Sequence, residues 1–150
     1  RTTSGSQDTM QVLKPEPELD FQIEQIVVNK SGVYAAVAGT HQGSPRLALL
    51  HLNQSVSSDT ENPLCTSTPL AEDLLSSCSV LQMAWHPLHD DNLVILTSDA
   101  RLSLYNVMVN PELPEQEYVL RDLRFSPTPP TSFAFPPADG WGYFTVLVAS

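Results

Sequence analysis

One stretch in the middle of the chain carries the pattern of three consecutive β-strands joined by tight turns. An apolar strand over residues 81–87 ends at Trp-His-Pro, and a polar loop then leads into the apolar run 93–96. The turn 97–101 reverses the chain into a strand over 102–105 that ends in an aromatic residue. An inner strand, a buried strand, a Ser-Asp turn and an outer strand form the pattern of a β-propeller blade. The stretch therefore predicts an all-β fold.

The same pattern recurs along the chain. Residues 26–39, 84–98 and 134–150 each contain an apolar strand end, a turn rich in Gly, Pro, Asn or Asp, and a second apolar run. Their spacing of about 50 to 60 residues exceeds a blade length of about 40 to 50 residues. The polar loops 53–62 and 110–117 account for the excess length. We therefore predict a WD40-like propeller of which this chain covers roughly three blades.

The repeat also predicts the domain organisation. Residues 1–19 contain a Pro-Glu-Pro-Glu run and are expected to be a linker or a poorly ordered leading segment. Residues 20–150 form the partial propeller, with blades at approximately 20–78 and 79–125 and an incomplete blade at 126–150.

Local patterns predict further elements within these blades. A run of apolar residues over 33–39 is typical of a strand buried on both faces, and residues 40–45 are expected to form a loop. Residues 66–72 and 117–123 are candidates for outer strands. A short helix over 70–76 is also predicted, because Pro69 suits a first helical turn.

The charge balance limits the classes of partner. The chain has 7 Lys and Arg against 17 Asp and Glu, which gives a formal net charge of −10. Phosphate backbones and anionic membrane surfaces both require clustered cations. No apolar run reaches the length of about 18 residues that spans a bilayer. We therefore expect protein partners, no direct nucleic acid and no membrane insertion.

The two cysteines and the histidines do not predict a cofactor. Cys65 and Cys78 are too few for a disulfide framework or a zinc site, and they are expected to be free thiols. The sequence His-Pro-Leu-His-Asp-Asp over 86–91 carries metal-ligand residue types. Because these residues lie in one exposed turn, we interpret Asp90 and Asp91 as turn formers instead. No catalytic residue and no metal or cofactor is predicted.

Four residues are expected to shape the central blade: Trp85, Pro87, Asp99 and Tyr105. Asp99 is expected to hydrogen-bond the turn in which it lies. Aromatic residues at strand ends favour core packing over an aromatic binding surface. Those considered were Trp85, Tyr105, Trp141, Tyr143 and Phe144. A further hypothesis is an apolar contact surface for a partner, and its candidate residues are Leu64, Leu74 and Leu75.

The order of motifs resembles one known family. Cys-Thr-Ser-Thr-Pro over 65–69, the Ser-rich stretch 76–79, Leu-Gln-Met-Ala-Trp-His-Pro over 81–87 and the strand-turn-strand over 93–105 follow one another. This order resembles the N-terminal propeller of the nucleoporin 88 family. The resemblance is best over residues 65–107 and is faint after Asn110.

The resemblance implies a structural role at the nuclear pore complex. It implies a seven-bladed propeller on the cytoplasmic side of the nuclear envelope that supports mRNA and protein export. The implied partners are the C-terminal domain of nucleoporin 98 and the Phe-Gly nucleoporins of the cytoplasmic filament complex. No partner-binding residue is carried over from the family.

Two other hypotheses remain open from the sequence alone. The first is a generic WD-like propeller adaptor in another protein complex. The second is a small β-sandwich enzyme or a sugar-binding module, which would require a self-contained domain with a concave polar site. The internal repeat and the lack of a convergent catalytic set argue against the second hypothesis, while the first stays open.

Overall fold

A computed structural model describes residues 12–55, 63–122, 128–137 and 145–150. Within them the chain consists mostly of β-strands, so the all-β prediction is confirmed. The bounds are β1 Lys14–Glu16, β2 Gln22–Val28, β3 Tyr34–His41, β4 Ser44–Ser55, β5 Leu64–Pro69, α1 Glu72–Leu75, β6 Val80–Trp85, β7 Asn92–Thr97, β8 Arg101–Asn106, β9 Gln116–Val119, a 3-10 helix Leu120–Asp122, β10 Ser132–Ala134 and β11 Leu147–Ala149.

The first sheet has five strands in the order β1-β5-β4-β3-β2. Strands β2 to β5 form an antiparallel meander, as expected when short turns join strands that follow one another in sequence. Strand β1 pairs in parallel with β5, with Lys14 opposite Leu64 and Glu16 opposite Thr66. The outer edge of this meander is therefore covered by the leading segment of the chain.

The second sheet is a four-stranded antiparallel meander in the order β6-β7-β8-β9. Its register places Trp85 opposite Leu93, and Leu93 in turn opposite Tyr105. Strands β10 and β11 form a separate antiparallel pair. The first two sheets thus each contain a four-stranded antiparallel meander, and β10 and β11 pair separately.

Strand β7 lies at the centre of the packing because both of its faces are buried. Leu93 and Ile95 belong to a core shared with the first sheet and α1. Val94 and Leu96 point the other way, into a second core that includes Phe133. Successive side chains of a strand point to opposite faces, so a continuous apolar run suits a sheet covered on both sides.

Strand β6 neighbours both β2 of the first sheet and β10 of the separate pair. Gln25 on β2 donates from Nε2 to the carbonyl of Leu81 on β6, at 3.4 Å. Gln82 on β6 and Phe133 on β10 exchange two hydrogen bonds of 2.8 Å each. Side-chain amides therefore link β6 to strands of both neighbouring sheets.

The structure corrects several predicted boundaries. The loop expected over 40–45 is a two-residue turn, because Gln42 and Gly43 both adopt positive φ, as in a type I′ hairpin. Strand β4 continues to Ser55, inside the loop expected to begin at Asn53. The outer strand expected over 66–72 ends at Pro69.

Other elements also differ in extent from the prediction. The outer strand expected over 117–123 begins at Gln116 and gives way to a 3-10 helix at Leu120. The predicted short helix is present, but only over Glu72–Leu75. Strand β1 lies inside the segment 1–19 that the sequence marks as a linker; residues 1–11 are outside the described part.

None of the helices in the described part of the chain has the length and apolar character needed to cross a bilayer.

Candidate functional site

Trp85, at the end of β6, links the first and second sheets. Its side chain is buried, and the indole Nε1 donates to the carbonyl of Val27 at 2.9 Å. The ring stacks on Tyr34 with centroids 6.1 Å apart and planes inclined by 24°. A buried Trp must find an acceptor for its N–H, and here the acceptor is a carbonyl of the neighbouring sheet.

Asn29 is a second link between the sheets, and the sequence analysis did not single it out. Its Oδ1 accepts from the backbone N–H groups of Val33 and Tyr34, at 3.0 Å each. Its Nδ2 donates to Ser31 Oγ and to the carbonyl of Asp90, at 3.1 Å each. Asn29 begins the sequence Asn-Lys-Ser-Gly, which is typical of a turn. Its contact with Asp90 joins residues that are distant in the chain, and no sequence pattern predicts that contact.

Asp99 lies in the turn between β7 and β8. Its carboxylate accepts from Thr97 Oγ1 at 2.6 Å and pairs with Arg101 Nε at 2.7 Å. Ala100 in the same turn has φ 65°, a conformation that is costly for a residue with a Cβ. The carboxylate thus crosslinks both ends of a strained turn.

Tyr105 is fully buried on β8, in the core between the first two sheets. Among the described residues, neither its hydroxyl nor the buried Ser103 Oγ has a hydrogen-bond partner. Burial, and then the nearby carboxylate of Glu117, raise the pKa of Tyr105 well above its usual range. The ring contributes packing, while the hydroxyl carries an uncompensated desolvation cost.

His86 lies in the loop between β6 and β7, directly before Pro87. His86 Nδ1 accepts from the N–H of Leu88 at 3.2 Å, and its ring lies 4.9 Å from that of His89. Burial, together with His89, lowers the pKa of His86. An imidazole acting as an acceptor must be neutral at that nitrogen, so the loop geometry and the pKa direction agree.

Within the described ranges, no group of three or more His, Cys, Asp or Glu side chains could hold a metal ion. Cys65 and Cys78 are buried free thiols, as predicted, and burial raises the pKa of both. A buried thiol with a raised pKa is a poor nucleophile at neutral pH.

The hypothesis of an apolar contact surface for a partner is wrong for Leu74 and Leu75. Both side chains lie on α1 and are buried in the core between the first two sheets. Trp85 and Tyr105 also pack in the core rather than on a surface. Trp141, Tyr143 and Phe144 lie outside the described residues.

An open groove of about 790 Å³ lies at the end of the sheets where these loops meet. Its lining residues come from the β2–β3 turn, the β6–β7 loop and the end of β8. They are Lys30, Ser31, Pro87, Leu88, His89, Asp90, Asp91, Asn92 and Asn106. The groove is therefore lined mostly by polar side chains from three neighbouring loops.

The geometry can be set beside known proteins. The family model for the nuclear pore component Nup88 matches residues 1–121. The chain belongs to the nucleoporin 88 family. A relative with the name Nuclear pore complex protein NUP88, from Arabidopsis thaliana, is 31% identical over 147 residues. That match includes 91% of this chain and 18% of the relative, so the chain spans less than a fifth of the curated protein.

Membership of the nucleoporin 88 family confirms the resemblance first seen over residues 65–107. This nucleoporin is therefore a component of the nuclear pore complex. The four residues expected to shape the blade lie on two strand ends, a loop and a turn of one sheet; their role as a blade signature stays a prediction.

Proposed function

We propose that this nucleoporin is a non-enzymatic scaffold, part of a β-propeller on the cytoplasmic side of the nuclear pore complex. It supports mRNA and protein export by docking other nucleoporins. The observation that carries the proposal is the family match over residues 1–121.

The sheet arrangement supports the propeller part of this proposal. Two four-stranded meanders share a core, and strand β6 lies between β2 of the first sheet and β10 of the separate pair. Blades arranged around an axis have this geometry, because each inner strand then neighbours the next. We assign the blades to approximately 20–78, 79–125 and 126–150, within a ring of seven.

The chemistry of the surface supports a binding role. Rigid sheets hold loops in fixed positions, and such loops commonly carry binding residues. With a net charge of −10, the chain favours basic protein surfaces over RNA. We propose the C-terminal domain of nucleoporin 98 as a docking partner, with Phe-Gly nucleoporins of the cytoplasmic filaments in the same assembly.

A pull-down tests the docking proposal. The purified chain is immobilised and offered the nucleoporin 98 C-terminal domain at moderate salt, where weak non-specific charge attraction is screened. An unrelated folded protein of equal net charge serves as the control bait. Saturable binding to the nucleoporin alone is the expected result.

Failure of a folded bait to bind would refute the nucleoporin 98 domain as the docking partner and would leave the family assignment unchanged. The cytoplasmic location needs a separate measurement. An antibody against the chain should label the pore when only the plasma membrane is permeabilised; labelling that requires an opened nuclear envelope would place the protein on the other side.

A further inference from the structure

Three loops at one end of the sheets form a surface with exposed apolar side chains. This loop-end surface consists of residues 29–33, 86–91 and 107–115. Its large apolar residues have exposed fractions of 41% for Leu88, 57% for Met108, 61% for Leu113 and 73% for Val109. The turns at the opposite end are built from Gln-Gly and Ser-Asp. Clustered exposed apolar side chains indicate an interaction site.

The loops hold one another in place. Asn29 Nδ2 donates to the carbonyl of Asp90 at 3.1 Å, which joins the first loop to the second. The N–H of Val107 donates to the carbonyl of Asp91 at 2.9 Å, which joins the third loop to the second. A partner would therefore meet a surface that is already ordered, and less conformational entropy is lost on binding.

The third loop is also anchored to the core. The hydroxyl of Tyr34 donates to Met108 Sδ at 2.7 Å. Asn106 Oδ1 accepts from the N–H of Met108 at 3.2 Å, and its carbonyl accepts from the N–H of Val109. These bonds fix the turn that carries Val109, the most exposed large apolar residue of the loop-end surface, next to Asn106, which lines the groove.

The charge of the groove indicates the chemistry of its partner. Asp90 and Asp91 supply two carboxylates, and neither forms an ion pair within the described ranges. Lys30 is the single Lys or Arg among the residues that line the groove. The surface thus combines apolar anchors with an acidic excess, on a chain that is acidic as a whole.

We propose that the loop-end surface docks a protein segment in which apolar side chains are flanked by Lys or Arg. The apolar side chains cover Leu88 and Val109, and the cations reach the carboxylates of Asp90 and Asp91. Such complementarity favours the correct partner and speeds association. The inference rests on the proposed function only in that the chain acts by binding proteins.

A selection experiment tests this chemistry directly. A display library of short random peptides is selected on the immobilised, folded chain, and the recovered peptides are synthesised with a fluorescent label. We expect enrichment of Lys and Arg next to Leu, Phe or Trp. Binding, followed by fluorescence anisotropy, should weaken with added salt because the attraction is partly electrostatic.

Matched variants locate the site. The double variant Leu88→Ser/Val109→Ser should bind the selected peptides about tenfold or more weakly, because both anchors are lost. The control Tyr118→Ser/Val119→Ser removes apolar side chains of comparable exposure, 54% and 50%, from outer strand β9 and should bind normally. Circular dichroism is used to check that each variant keeps its sheet content.

Charge is tested with Asp90→Asn/Asp91→Asn, which should weaken binding and flatten its salt dependence. Recovery of acidic peptides, no recovery at all, or equal binding by the two Ser variants would overturn the proposal. Its failure is separable from failure of the proposed function. A negative nucleoporin 98 pull-down with peptides that still need Leu88 and Val109 refutes that partner and leaves the surface standing. A positive pull-down, together with peptides that bind equally well without Leu88 and Val109, supports that partner and refutes the proposed surface.

Discussion

Replacement of Asn29 by Ala is the sharpest test of how the sheets are joined. The amide is buried, with 4% of its surface exposed, and it makes four hydrogen bonds of 3.0 to 3.1 Å. In the variant the N–H groups of Val33 and Tyr34 lose their acceptor. The N–H of Tyr34 is buried and that of Val33 is partly buried. Each orphaned donor costs about 1 to 2 kcal/mol, while the freed carbonyl of Asp90 can turn to water. We expect the free energy of unfolding to fall by about 2 to 4 kcal/mol.

The assay is urea unfolding followed by tryptophan fluorescence and circular dichroism, with identical slopes required for the comparison. Asn29→Asp is the matched control, since a carboxylate still accepts from both N–H groups but cannot donate to Asp90. Its loss should be smaller than that of the Ala variant. A loss below about 1 kcal/mol for Asn29→Ala, or a larger loss for Asn29→Asp, would refute the argument that the accepted bonds dominate.

Three further outcomes follow from the structure. Tyr105→Phe should leave the urea midpoint unchanged or raise it, because a buried hydroxyl without a partner is removed; a loss above about 1 kcal/mol would show that the hydroxyl is satisfied. Burial and His89 lower the pKa of His86 in the folded state, so the folded state favours neutral His86. The stability that neutral His86 provides is complete above the pKa of His86 in the unfolded chain, and it is lost as the pH falls through the pKa of His86 in the folded chain. Melting temperature measured from pH 7.5 to 5 should therefore fall less in His86→Gln than in the parent, and parallel curves would contradict this. Asp99→Asn weakens the partly exposed pair with Arg101 and should cost at most about 1 kcal/mol in urea unfolding, and less in high salt, whereas a salt-independent loss would show that the charge is not involved.

Sequence periodicity was sufficient for the strands that are buried on both faces. The apolar runs over 33–39 and 93–96 correspond to β3 and β7, because only a strand covered on both sides tolerates such continuity. Polar residues between the apolar runs also predicted where the chain reverses direction. Strand ends were less predictable, since hydrogen bonds with a neighbouring strand can extend a strand into polar residues, as β4 does up to Ser55.

The family and the all-β class were thus determined by the sequence itself, through local apolar patterns and the order of motifs around Trp85. The tertiary structure alone decided what those residues contact. It gave Trp85 Nε1 its acceptor at Val27, it made Asn29 a bridge to Asp90, and it buried Leu74 in the core. These contacts join residues that are far apart in the chain. A local sequence pattern indicates which face of a strand is apolar, but it does not indicate which distant backbone atom that face will contact.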